Sequence, residues 1–565
     1  MDARRDRWHL LLLGLILIGV GLGLRGPWPA DEPRFALVAR DMVDSGNWLF
    51  PRIGGDLYGD KPPLFFWLIA LCYRLCGSLQ LAFLLPPLAA ALGVLALVHD
   101  LARRLWNDAA AWLAALTLLF TLQFIAVMRG AQIDTVLCFL TTLSLYGLLR
   151  HLLLGPSWGW YFVGALAAGL GVIAKGVGFL PLLVLLPYGL MRGRWPGFPR
   201  IAGGWRWFAL AAAGVLLPIA LWLVPMLLAV HASGAPDLVA YRNEILFRQT
   251  VTRYTRAWHH VEPWYFFFVS VIPALWLPWT PLLFGLVPRW RAAWRAREPR
   301  TWLPLAWVLL VLLFFAVSTG KRGVYIFPAL PALAIGAAPF LPELYAQRWV
   351  RICGWIGGAL LALACVVAAA AWSLGTPALQ ALVAENNLQG AAPLWLLAAI
   401  AVLVVAFAAR RWPLLAWPGV LLAMAVVYAL WLMPRMDAER TGRAFIARLE
   451  RAVPADRSLG LLAYKEQFLL YLARPATNFG HARSNAGEGE QETWDAARWL
   501  NEDPRRILLV PAARLKPCFA ASPGYVLSES AGQDWSLVSA PADAACAARG
   551  ELHRFQYPVA TTASR

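Results

Sequence analysis

Lysine is scarce in this chain. Of 50 basic residues only five are Lys (Lys61, Lys175, Lys321, Lys465 and Lys516), and charged residues make up 15% of a 565-residue sequence that is 60% hydrophobic. So little charge cannot clothe several soluble domains, although the length alone would allow roughly three or four. The long apolar runs are almost free of charge at mid-length, which argues against an ion relay through a bilayer. No internal repeat or low-complexity tract occurs, so neither a repeat array nor a disordered tract is indicated. No basic domain occurs either. The net charge of +18 comes mostly from arginines spread over short loops, which excludes a nucleic-acid footprint and fits the positive-inside rule. Cysteine is sparse as well. Cys72, Cys76, Cys138, Cys353 and Cys365 lie in apolar segments, and no His or second Cys pair accompanies Cys72 and Cys76, which argues against a metal site there. Cys518 and Cys546 are the only two in residues 434–565, and in an oxidising compartment they are predicted to form a disulfide.

What the chain does have is apolar runs of about 20 residues, the length that crosses a bilayer. They fall at about 9–25, 80–101, 109–128, 135–153, 158–174, 177–191, 206–231, 264–287, 302–319, 324–342, 352–373, 393–409 and 413–433. The expected fold is a polytopic α-helical membrane protein of about 13 spans with a C-terminal soluble α/β domain. The opening MDARRDRW is a basic flank to Leu10–Leu24, and no small-x-small cleavage site follows, so this run reads as a membrane helix entering from the cytoplasm. Residues 61–77 are apolar but short and contain Arg74, and they read as a half-embedded helix. After 433 the apolar runs shorten to strand length (Leu459–Ala463, Ile507–Val510, Tyr525–Leu527, Trp535–Val538), with helical patterns at 440–453 and 492–502. The domains expected are 1–433 in the membrane, with an outer loop at 26–61, and 434–565 outside it. An odd number of spans puts the C-terminal tail outside.

The loop from Asp31 to Trp67 concentrates charge: Asp31, Glu32, Arg34, Arg40, Asp41, Arg52, Asp56, Asp60 and Lys61. Phe35, Leu37, Val38, Met42 and Val43 recur there at helical spacing, so one face could lie on a membrane surface. The loop is read as one wall of an active site at the outer face. Lys61, Lys175 and Lys321 sit at outer ends of spans, where a compact ammonium suits phosphate oxygens. Asp134 follows Arg129 by five residues, and it either pairs with that arginine at the helix turn or joins the site. Residues 232–263 interleave Arg242, Arg248, Arg253, Arg256, His259 and His260 with aromatics, a pattern able to grip an anionic headgroup.

DEPRFALVARDMVDSGNW, YGDKPPLFFW, the Arg129/Asp134 pair, AKG at 174–176 and GKRGVYIFPALPAL at 320–333 together resemble the polyprenyl-phosphate-sugar-dependent glycosyltransferases of the GT-C fold. The likeness is in particular to the bacterial aminoarabinose transferases that modify lipid A, in a group related to the protein O-mannosyltransferases. It implies transfer of a sugar from an undecaprenyl-phosphate donor, at the periplasmic face of the bacterial inner membrane, to lipid A or another envelope acceptor. It also implies catalytic roles for Asp31 and Asp134, and donor-phosphate contacts from Arg34, Tyr58, Lys61, Arg253 and Tyr325; Lys321 joins these as a phosphate-binding cation by its charge and its place at a span end. Glu32, Asp60, Arg129 and Lys175 would support them. Two positions depart from the aminoarabinose pattern: Asp60 replaces a Glu before Lys-Pro-Pro, and Gln249-Thr250 replaces a Glu-His pair. No cofactor is assigned; a divalent metal stays open, with Asp60 its one candidate ligand.

In this reading the expected partners are the lipid-linked donor, the envelope acceptor and membrane lipid, with no nucleic acid. Fixed cations stabilise the departing phosphate, and a carboxylate takes the proton of a hydroxyl acceptor. The alternatives are a protein O-mannosyltransferase-like enzyme and, in another class, a lipid-linked sugar transporter or flippase. The near absence of mid-span charge disfavours the transporter.

Overall fold

The computed structural model describes residues 3–246, 261–386, 388, 390–481, 483, 487–519, 525–530, 532–551 and 553–557. The apolar runs become helices because only a helix satisfies its own backbone polar groups in hydrocarbon. Among the described residues nine helices are long and apolar enough to cross a membrane, or up to eleven if each of two bent pairs counts as one span. The bends are 63° between Asp108–Leu119 and Leu122–Met128, and 110° between Phe267–Leu275 and Trp279–Arg295. Arg7–Gly19, Leu64–Cys76 and Val177–Met191 are apolar but shorter. At about 1.5 Å per residue the 13-residue Leu64–Cys76 is roughly 20 Å long, too short for the ~30 Å hydrocarbon core.

The outer loop is ordered. Helix α1 (Glu32–Ser45) starts with Pro33 in its first turn, where the missing N–H costs nothing, and ends at Gly46 with φ 72°. A two-stranded hairpin follows, β1 (Arg52–Ile53) with β2 (Asp56–Leu57). Its turn is Gly54-Gly55, with φ of 60° and 98°, a left-handed turn that a side chain would strain. Helix α2 (Leu64–Cys76) comes next. The apolar face of α1 does not lie on a membrane surface. Phe35, Leu37, Val38 and Met42 are buried in one core with Phe65 and Phe66 of α2 and with Phe445, Phe468 and Leu469 from the C-terminal part. Protein, not lipid, covers this stripe.

Two membrane helices carry charged side chains at adjoining ends, α3 (Ile133–Leu154) and α4 (Trp158–Lys175). They pack closely because small residues face the contact. A Cβ on Gly147 would sit 2.3 Å from the Trp160 carbonyl, and one on Gly164 would sit 2.9 Å from the Ser144 carbonyl. Farther along lie α5 (Arg348–Ser373) and α6 (Ala392–Arg411).

The C-terminal part holds a six-stranded mixed sheet of order β6-β7-β5-β3-β4-β8. Its strands are β3 (Ser458–Leu461), β4 (Ala476–Asn478), β5 (Arg506–Pro511), β6 (Tyr525–Ser530), β7 (Gln533–Val538) and β8 (Phe555–Tyr557). Strand β3 runs parallel to both β4 and β5, and the outer pairs are antiparallel. Short helix α7 (Glu466–Tyr471) lies between β3 and β4 and touches α1. Cys518 and Cys546 are joined by a disulfide, with Cα atoms 5.7 Å apart.

Candidate active site

Asp31 occupies the N-cap position of α1, but its side chain makes no capping bond. It faces Arg322 instead, Oδ2 to Nη2 at 3.8 Å, and is about a third exposed. Arg34, three residues on, lies one turn along the same helix face. Its Nε donates to Glu466 Oε1 at 2.8 Å, across to the first residue of α7. His481 Nε2 is 3.7 Å from that same oxygen. Tyr58 is buried beside them, its ring 6.1 Å from the His481 ring. Burial pushes the Tyr58 phenol well above its usual range, and the charges of Asp60 and Asp31 add to this against Arg34. Burial alone would raise Glu466, but Arg34 and His481 outweigh it and hold the carboxyl below its usual value. Burial lowers His481, which favours the neutral ring. Asp60 and Lys61 close this cluster in sequence after Tyr58, and both are engaged in interactions.

Asp134 stands in the first turn of α3, where the helix dipole favours a carboxylate, and Lys175 ends α4, where it favours a cation. The close antiparallel packing brings these ends together, and Lys175 Nζ donates to Asp134 Oδ1 at 2.6 Å. The same ammonium lies 4.9 Å from the centre of the Tyr325 ring.

One segment joins the two groups. Residues 322–325 carry Arg322 to Asp31 and Tyr325 to Lys175. Gln123 Nε2 donates to the Gly323 carbonyl at 2.8 Å, and its Oε1 accepts from Trp276 Nε1 at 2.7 Å, which pins this segment from behind. A second tie comes from Glu32. Its buried carboxylate pairs with Arg25 and accepts from the Trp28 and Ala131 amides, both at 2.9 Å. Ala131 is three residues before Asp134, so Glu32 locks the start of α1 to the start of α3.

The predicted residues therefore divide. Asp31, Arg34 and Tyr58 form one wall, and Asp134, Lys175 and Tyr325 the other. Glu32 is the tie between them. Arg129 does not pair with Asp134: its guanidinium donates to the carbonyls of Leu17 and Val20, the latter at 3.0 Å. Lys321 is buried and donates to the carbonyls of Glu262, at 2.7 Å, and Ser318, so it fastens the return of the preceding loop. Arg253, like most of the basic loop around it, lies outside the described residues. Among the described residues no three of His, Cys, Asp and Glu converge on a metal position. Arg322, Glu466 and His481 join the site without a place in the sequence-based expectation. Arg322 adjoins Lys321 in the GKRGVYIF motif, whereas nothing local marks Glu466 or His481.

Residues 60–224 match the family model described as dolichyl-phosphate-mannose-protein mannosyltransferase. The chain is 35% identical over 449 residues to the undecaprenyl phosphate-alpha-4-amino-4-deoxy-L-arabinose arabinosyl transferase of Pseudomonas aeruginosa (strain UCBPP-PA14), covering 76% of each chain. It is 34% identical over 445 residues to the protein of the same name from Pseudomonas paraeruginosa, covering 76% of this chain and 75% of that one. Its fold resembles the crystal structure of ArnT from Cupriavidus metallidurans bound to undecaprenyl phosphate. The TM-score is 0.73 at 22% identity, over 94% of this chain and 97% of that one.

Proposed function

Since this chain belongs to the undecaprenyl phosphate-alpha-4-amino-4-deoxy-L-arabinose arabinosyl transferases, we propose that the two facing walls bind an undecaprenyl-phosphate-linked sugar and pass it to an envelope acceptor. The protein is a membrane glycosyltransferase, and a pentosyl donor fits its relatives. The observation that carries the site assignment is the convergence of Asp31 and Asp134 on one short segment, 322–325, at the outer ends of the helices.

The acceptor oxygen attacks C1 of the sugar as the C1–O bond to phosphate breaks, and undecaprenyl phosphate leaves with the bonding electrons. Negative charge grows on that phosphate. Arg34 gives Glu466 only its Nε, so its terminal amino groups, beside the Tyr58 phenol, can turn toward an anion. Lys61 adds a point charge from the same loop. A hydroxyl acceptor gives its proton to Asp31. A phosphate acceptor needs no base, and Asp31 then orients the sugar or meets its amino group. Asp134, held by Lys175, positions the incoming group. Direct displacement inverts the anomeric centre. Lipid A is the acceptor that best suits the family, at the periplasmic face of the inner membrane.

Counting each bent pair as one span and adding Arg7–Gly19 and Val177–Met191 supports thirteen spans. The N-terminus is then cytoplasmic, and residues 434–565 form a periplasmic α/β domain seated on the first loop. The test is transfer by purified protein from undecaprenyl-phosphate aminoarabinose to lipid A, followed by mass spectrometry. A sugar-sized mass gain that disappears in Asp31→Asn supports the reading; unchanged lipid A with wild-type protein rejects this donor–acceptor pair.

A further inference from the structure

A second feature lies at the other end of the bundle. The site segment 322–325 leads through the helix Ala329–Ala346 to the start of α5, so Arg348 and Arg351 stand at the boundary opposite the two carboxylates. Helix α6 returns to that boundary and ends in Arg410 and Arg411. Between these ends opens a cavity of about 450 Å³ lined by Arg351, Arg411, Trp412, Pro413, Leu414 and Leu415.

Its charge is not balanced from within. Between Glu343 and Asp437 the only acidic residue is Glu385, and it lies beyond the far end of α5. Glu343 is already paired with Arg289 at 2.6 Å. Among the described residues neither the Arg351 nor the Arg411 guanidinium has an ion-pair or hydrogen-bond partner. Below Arg411, α6 presents Phe407 and Leu403, spaced by four and 58 and 68% exposed, and the Phe407 ring lies 5.8 Å from the Trp412 ring that lines the cavity. This is a single apolar stripe running from the arginine toward mid-membrane. Two cations at headgroup depth above such a stripe match an amphiphile with an anionic head.

We propose that this cavity binds an anionic phospholipid. Its phosphate lies between Arg351 and Arg411, its glycerol region against Trp412 and Pro413, and an acyl chain along Phe407 and Leu403. The lipid would occupy the leaflet opposite the catalytic loop, and the proposal does not depend on the sugar transferred.

The test is native mass spectrometry of the full-length protein after delipidation, titrated separately with phosphatidylglycerol, phosphatidylethanolamine, undecaprenyl phosphate and inorganic phosphate. Wild type should retain one phosphatidylglycerol at least tenfold more tightly than phosphatidylethanolamine. The Arg351→Gln/Arg411→Gln pair should weaken that one lipid on the order of ten- to thirtyfold, the scale two basic side chains supply at a membrane surface. Should the pair fail to purify as a monodisperse species, Arg411→Gln alone should still give a several-fold loss. Equal retention of both phospholipids overturns the proposal, as does retention untouched by the substitutions. So does a substitution-sensitive site that takes undecaprenyl phosphate or inorganic phosphate in preference to phosphatidylglycerol.

Discussion

The two carboxylates of the site sit in opposite surroundings. Asp31 is about a third exposed and loosely placed, 3.8 Å from Arg322, at the head of a helix packed against the C-terminal sheet. Asp134 is mostly buried and bound at 2.6 Å to Lys175, between two membrane helices in close contact. A carboxylate tied that firmly to an ammonium is fixed in position, with one oxygen already committed. One facing its cation at 3.8 Å leaves an oxygen able to meet a substrate hydroxyl. In the proposed mechanism this contrast gives the chemistry to the outer wall, that of Asp31, and the geometry to the inner wall, that of Asp134.

The strongest way to break this comparison is Asp31→Asn. Removing a general base costs about 10²- to 10⁴-fold, so transfer to a hydroxyl acceptor should fall by about a thousandfold in kcat, with the protein still folded by size-exclusion profile. Wild-type turnover would end the assignment. Asp134→Asn should cost less, on the order of ten- to a hundredfold. It should also lower stability, because Lys175 is left without its carboxylate. Adding Lys175→Gln to Asp134→Asn should recover part of the lost Tm while restoring little activity. If the double variant were simply the sum of the singles, the pair would not be acting as a unit.

A third substitution separates binding from chemistry. Glu466→Gln removes the charge that orients Arg34, and a hydrogen bond to a charged group contributes about 1.5–3 kcal/mol. The KM for the lipid-linked donor should rise about tenfold while kcat changes by less than threefold, and the effect should vanish in an Arg34→Ala background. Equal losses in both backgrounds would show that Glu466 acts elsewhere than through Arg34.

Much of this arrangement is legible in residue order. The apolar runs mark the membrane helices, the charged loop marks the outer wall, and alternating short runs mark β3, β5, β6 and β7. What escapes has physical causes. Strands β4 and β8 are three residues each, too short for a periodicity. Nearness in sequence pairs Asp134 with Arg129, but its partner is Lys175, 41 residues away, brought in by glycine-mediated helix packing. The stripe on α1 reads as lipid-facing because an amphipathic pattern records only that something apolar covers it. Glu466 meets Arg34 from 432 positions away, a separation at which no local pattern carries information.

The smallest effect concerns the seat of the outer wall. Helix α1 is held to the sheet by Arg40, which donates to the Leu469 and Leu470 carbonyls and to the Tyr557 hydroxyl. That hydroxyl in turn donates to Asp41 at 2.6 Å. Burial raises the Asp41 carboxyl to about 7 from an ordinary 3.8, against the pull of the Tyr557 bond and of Arg40. The folded form thus holds a proton that the unfolded chain has lost. The stability this lends is complete below about 3.8 and drains away as pH rises through about 7. Hydrogen exchange at residues 32–45, corrected for intrinsic rates, should show several-fold less protection at pH 8 than at pH 6, and Asp41→Asn should flatten the difference. Residues 133–154, on the inner wall, should show no such change, because nothing holding α3 to α4 passes through Asp41. Matching pH dependence in both helices would mean that the two walls are not separately anchored, and the contrast between the carboxylates would lose its structural basis.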